Sequence, residues 1–164
     1  MINRITFENQ KFETHGIIEP IELSGAKRVP EGWKPTADPE NVEVRELIRN
    51  ISWEKSDEYC LVNDLKMSSY DFVEKFCSIP TDTLKKTISG KCRLTRTFLA
   101  KYTVGLKLEL NEANELFRMH SGTLNPTNPF DFIVYNALIT KDDIDFFLDE
   151  VLQYLNINLD KDRL

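Results

Sequence analysis

Glycine is scarce in this chain, 6 in 164 residues, and nowhere do the glycines gather into the loop that cradles a nucleotide phosphate. Histidine is scarcer still. His15 and His120 stand far apart, so a catalytic or metal-binding pair has no local basis. The three cysteines, Cys60, Cys77 and Cys92, form no Cys-x-x-Cys pair, and their spacings of 17 and 15 residues fit no zinc pattern. They read as reduced thiols that pack like small hydrophobes. A nucleophile built from Cys60 and a histidine lacks any local signature. No apolar run approaches the roughly 18 residues of a membrane span. The first ten residues, MINRITFENQ, carry no apolar signal-peptide core. The expectation is a cytoplasmic protein with no membrane span, no cofactor, no metal and no enzymatic activity.

What is present is an ordinary globular composition, 41% hydrophobic and 29% charged, in a chain long enough to bury a core without covalent staples. The net charge of −6 argues against a nucleic-acid partner until its distribution is considered. Residues 1–65 hold 8 basic and 13 acidic side chains, residues 66–118 hold 10 and 6, and residues 119–164 hold 3 and 8. Between 81 and 107, seven basic residues face one acid, Asp82. A polyanion responds to local potential rather than to the total, so a basic island between acidic ends is compatible with DNA. The alternative is a chance fluctuation on a solvated face.

The apolar spacing predicts mostly helices. Residues 1–37, broken by Gly16, Pro20 and Gly25 and then by the Pro-rich RVPEGWKPTADPEN, read as an irregular or β arm. Trp33 and Trp53 are expected to pack against this segment, unless Trp33 anchors a partner. Asp38-Pro39 marks a helix start, followed by Val44, Leu47, Ile48 and Ile51 at helical spacing. A weak pattern over about 56–66 suggests a second helix, with Tyr59, Val62 and Lys66 on one side. Ser69 caps a run carrying Phe72, Val73 and Phe76. In IPTDTLKKTISGK, Leu84 and Ile88 lie four apart and Gly90 terminates. TRTFLAKYTVG places Phe98, Leu99 and Tyr102 together and ends at Gly105. Asn111 caps a helix with Ala113, Leu116 and Phe117 inward, and Gly122 closes it. Asn128-Pro129 begins the next, with Phe130, Ile133, Val134 and Ala137. Thr140 with Asp143 resembles a capping box before Ile144, Phe147, Leu148, Val151 and Leu152. The acids of KDDIDFFLDE lack the glycine of a calcium loop and instead suit a helix start.

The block IPTDTLKKTISGK resembles the recognition-helix segment of the Xre, or lambda-repressor-like, helix-turn-helix family, which runs Ile-Ser-x-x-Thr-(Ile/Leu) and closes on Gly-Lys. Ile79 falls in the turn, Thr83 and Leu84 in the helix, and Gly90-Lys91 at its end. FLAKYTVGLKLELNEANELF resembles the next helix and the start of the one after. The later LNEANELF and LNP motifs are similar to the C-terminal extension of a subgroup of these regulators. The likeness covers about residues 67–155. It departs from the family at the turn, where Ser78 stands for the usual glycine and Pro80 for the serine cap, and in the preceding helix, where Glu74 (or Val73, if the turn is one residue longer) takes the place of a small residue.

The resemblance implies a mainly α, lambda-repressor-like bundle with a helix-turn-helix domain over 56–122 and a helical extension over 123–164; residues 1–55, before it, read as an arm or a small α+β segment. It implies a sequence-specific regulator that binds double-stranded DNA as a homodimer, with the amphipathic helix 141–155 as the seam. Thr81, Asp82, Thr83 and Lys86 would face the major groove, with Leu84 and Ile88 in the core. Lys85, Lys91, Arg93 and Arg96 would clamp phosphates. Each bidentate base contact is worth roughly 1–3 kcal/mol, and about four phosphates give a log–log salt slope near −3.6. Read without the family, Lys85 and Lys86 are ordinary solvated lysines and Thr81 is a first-turn residue. The rival expectation is a non-enzymatic interaction or inhibitor module with a degenerate motif, whose acidic ends contact a basic protein partner.

Overall fold

The computed structural model describes residues 41–160. The expected arm, the Asp38-Pro39 start and Trp33 lie outside them. The described residues form seven α-helices and no strand.

Helix α1 spans Val42–Asn63 without a break. The sequence pattern suggested two helices here because apolar periodicity fades after Ile51. In the fold the inward stripe continues at the same spacing of four as Val44, Ile48, Ser52 and Ser56, all buried. Serine satisfies itself inside a helix by donating to the preceding turn, and Ser52 Oγ does so to the Ile48 carbonyl at 2.7 Å. Its small side chain also admits Tyr102, whose hydroxyl meets Ser52 Oγ at 2.7 Å and donates to the Ile48 carbonyl at 2.9 Å. Trp53, expected to pack, is exposed, as is Val62, and Lys66 lies beyond the helix end. The boundary expected at residue 55 falls inside this helix.

Helix α2, Ser69–Cys77, is capped by Ser68 rather than Ser69; the Ser68 hydroxyl accepts from the Asp71 N–H at 3.0 Å. Phe72 and Phe76 join Tyr59 of α1 in a cluster of rings 5.0–5.4 Å apart. Helix α3 spans Thr81–Ser89 and α4 spans Arg96–Gly105. Helix α4 is the centre of the core: it contacts α2, and every residue from Phe98 to Gly105 is buried. The helix ends at Gly105, as the sequence suggests. This glycine also serves close approach, since a Cβ there would lie 2.5 Å from the Phe76 carbonyl oxygen and 2.6 Å from Cys77 Cα. The left-handed residue after α4 is Lys107.

Helix α5 spans Leu110–His120 and begins on a capping box of Glu109 and Glu112, two residues earlier than the expected Asn111 cap. Helix α6, Pro129–Thr140, starts as expected: Asn128 accepts from the Asp131 N–H at 3.0 Å, and proline fills the first helical position. Helix α7, Ile144–Leu155, is preceded by Asp143, but Thr140 ends α6 and donates back to the Asn136 carbonyl, so no box forms. Helices α5, α6 and α7 all contact α4. Ile144, Phe147, Leu148, Val151 and Leu155 of α7 are buried in this shared core, while Leu152 is exposed. The apolar stripe expected to form a dimer seam is therefore consumed by the protein's own interior. Burying one such side chain contributes about 1.5–3 kcal/mol.

Candidate nucleic-acid interface

Helices α2 and α3 are joined by three residues, Ser78 to Pro80. Ser78 adopts a left-handed conformation, φ 57, and its N–H closes α2 on the Glu74 carbonyl. Holding a residue other than glycine there costs about 1 kcal/mol. Ile79 is buried beneath the turn and Pro80 accepts from the Leu84 N–H at 3.0 Å. Proline fits this position because the first helical N–H groups have no partner inside the helix. Gly90, φ 83, ends α3, and the N–H groups of Lys91 and Cys92 both return to the Lys86 carbonyl.

Helix α3 buries Leu84, Thr87 and Ile88. The opposite side carries Asp82, Lys85, Lys86 and Ser89, all exposed, with Thr81 and Thr83 half-buried at its borders. Lys91 and Arg93 are exposed just past the helix end. Five of the eight residues expected at a DNA surface, Asp82, Lys85, Lys86, Lys91 and Arg93, thus form or extend one open face, and the two threonines flank it on the first turn.

The Lys86 ammonium lies 3.1 Å from Asp82. The hydrogen bond to that carboxylate and then its charge raise the Lys86 pKa. Lys85 Nζ sits 5.1 Å above the Tyr70 ring, an exposed cation–π contact that orients it along the α2 side of the face. Lys91 has no ion-pair partner among the described residues.

Arg96 is a correction. Its Nε and Nη2 bind the Asp131 carboxylate at 3.3 and 2.8 Å, and its Nη1 donates to Ser121 Oγ and the Gly122 carbonyl at 2.7 and 2.8 Å. Nη2 also reaches the Thr123 carbonyl, and the guanidinium stacks 4.8 Å over Phe117. A guanidinium committed to that many acceptors staples α4 to α6 and is not a phosphate clamp. Arg96 therefore does not belong to the α3 face, leaving five of the basic and acidic residues there: Asp82, Lys85, Lys86, Lys91 and Arg93.

Two more cations of the basic island are committed elsewhere. Lys107 pairs with Asp143 at 2.7 Å. Lys101 is buried in α4, its side chain 3% exposed, and its ammonium lies 3.6 Å from Asp160. Ser78, the turn residue, donates to that same carboxylate oxygen at 3.3 Å. Leu159 is buried beside it, so the chain after α7 returns across the α2–α3 turn. Neither this tie nor the Arg96–Asp131 staple has a sequence signal, because the partners lie 82 and 35 residues apart. His120 shares hydrogen bonds with Ser121 Oγ and with the Leu94 carbonyl, both at 2.9 Å, tying α5 to the α3–α4 loop.

Cys77 is fully buried, and its thiol pKa is pushed far up by that burial despite the nearby Lys101 charge. It packs as a hydrophobe against Tyr102, whose carbonyl accepts from Sγ at 3.5 Å. Among the described residues no helix is long and apolar enough to cross a membrane. No protein-family model, curated protein or solved structure matches the chain.

Proposed function

We propose that the chain is a sequence-specific DNA-binding regulator that presents α3 to the major groove in the manner of a helix-turn-helix protein. The observation that carries this reading is the arrangement of α2, a three-residue turn and α3, in which the aliphatic side of α3 is buried and its Asp82, Lys85, Lys86 and Ser89 side is open. Ser78 supplies with serine the left-handed turn for which the Xre-like motif uses glycine. An exposed helix of this kind reads base edges with its first turns and docks through phosphate contacts. Thr81, Thr83 and Lys86 are the base-facing candidates, and Lys85, Lys91 and Arg93 the phosphate-facing ones. With Arg96 withdrawn, about three phosphate contacts give a salt slope near −2.7. A module this small buries little surface on DNA, so a dimer reading two half-sites fits the function best.

Selection from a random duplex library at several salt concentrations tests the proposal. The parent protein enriches a defined sequence, and the Lys85→Ala, Lys86→Ala, Lys91→Ala combination abolishes enrichment while the fold persists. No enrichment by the parent overturns it.

The second reading is a protein-interaction module with the groove-reading role lost. The Asp82–Lys86 pair favours it, because a carboxylate on the first turn of the open face repels phosphates and pairs with Lys86. Asp82→Ala separates the readings. It strengthens DNA binding if α3 contacts DNA and changes nothing if it does not.

A further inference from the structure

Two ridges run along the solvent side of α7. Phe146, Glu150 and Tyr154 stand at successive spacings of four, and Asp145 and Asp149 form a parallel ridge beside them. Residues four apart on a helix line up along one row, and eight residues of helix cover about 12 Å. Phe146 is 55% exposed and Tyr154 53%, although α7 already buries its other side in the core. Aromatic side chains are enriched among the residues that carry protein interfaces, and here two share one ridge with acids beside them.

The acids beside them are unbalanced. Asp143 is neutralised by Lys107, Asp131 by Arg96 and Asp160 by Lys101. Asp145, Asp149 and Glu150 have no ion-pair partner among the described residues. Partial burial and the charge of Asp142 raise the Glu150 pKa, so this carboxylate lies in a field that calls for a cation.

Charge selects among the occupants. A second copy laid symmetrically on this face would set Asp145 and Asp149 against themselves. Residues 1–40 carry five basic and seven acidic side chains and do not supply the complement. We infer that the open face of α7 docks a basic amphipathic helix of a partner protein. Aliphatic residues four apart on that helix pack against Phe146 and Tyr154, and its lysines or arginines meet Asp145 and Asp149. The inference does not depend on DNA binding by α3.

The test uses the full chain and two labelled synthetic peptides of identical Leu and Lys content, one with leucines segregated to a helical face and one with the order scrambled. Fluorescence anisotropy gives affinities, and amide chemical shifts locate the contact. The segregated peptide is expected to bind about tenfold more tightly than the scrambled one, with shifts on α7. Phe146→Ser with Tyr154→Ser, and separately Asp145→Lys with Asp149→Lys, are each expected to weaken it about tenfold. Lys85→Ala leaves it unchanged. All four α7 positions are solvent-facing, so circular dichroism of these variants should match the parent. Equal binding of the two peptides, no loss in either double variant, shifts elsewhere, or self-association of the chain through α7 overturns the proposal.

Discussion

Helices α3 and α7 are each anchored by one aliphatic side and open on the other, yet what they expose is opposite. On α3, Leu84 and Ile88 face the core while two lysines and one aspartate face solvent. On α7, Ile144, Phe147, Leu148, Val151 and Leu155 face the core while aromatics and uncompensated acids face solvent. The buried side of α3 packs on α1 and α2, and that of α7 on α4 and α6. The open sides have no packing reason to differ, so their difference bears on partners. The comparison also teaches that a basic run is not a basic surface. Of the seven cations between 81 and 107, Arg96, Lys101 and Lys107 are committed to carboxylates of the C-terminal half, and Lys86 to its own helix.

Helix α4 packs on α7 and on α2, which in turn holds α3, so disturbing it should damage both faces at once. Gly105→Ala drives a Cβ into the backbone at Phe76 and Cys77, where nothing flexible can yield. Urea denaturation should register a loss of about 3 kcal/mol, the upper end of ordinary overpacking. Wild-type stability would mean that α2 and α4 are further apart than described.

Arg96→Ala breaks the staple from the other side. Asp131, its side chain 6% exposed, would keep only the Asn125 N–H as a charge-compensating neighbour besides its own helix start. Removing one partner of a largely buried pair is expected to destabilise by about 2 kcal/mol. The salt slope of DNA binding should stay unchanged in the folded fraction. A slope reduced by about one phosphate with stability intact would restore Arg96 as a clamp.

The return of the chain across the α2–α3 turn gives a smaller effect. Asp160→Asn weakens the contacts to Lys101 and Ser78 and should lower stability by about 1 kcal/mol. Hydrogen exchange should speed up between Ser78 and Leu84 before it does in α7. Equal exchange in parent and variant would show that Asp160 does not hold the turn.

The smallest effect belongs to Glu150. Its raised pKa means that the fold disfavours the charged form, so the stability this group contributes is present at acid pH and is lost as pH rises through its folded value. Glu150→Gln should stabilise the chain at neutral pH, by no more than about 0.5 kcal/mol because solvent screens the site. The gain should vanish well below pH ~4.3. A destabilised variant at neutral pH would point to a cation beside Glu150.

The sequence disclosed these elements unevenly, for physical reasons. Leu84, Ile88 and Gly90 were legible because a spacing of four and a terminating glycine are local signals, and Asn128-Pro129 because a cap and a proline are adjacent. Helix α1 was misread as two because its stripe passes from isoleucine to serine, and serine scores as polar although Ser52 is buried against Tyr102. Gly105 was legible as the end of its helix, but its close approach to the Phe76 backbone was not, because no neighbour in sequence reveals it. On the candidate interface, the open face of α3 followed from periodicity. The fates of Arg96 and Lys101 did not, since charge counting cannot see a carboxylate brought in by tertiary contact.

The account rests on α3 being the surface that meets DNA. Amide chemical shifts recorded while titrating the full chain with the duplex recovered from selection test this most directly. The account predicts shifts confined to Thr81–Lys91 and Arg93, with α7 silent. Shifts on α7, or none on α3 at saturating duplex, would contradict it.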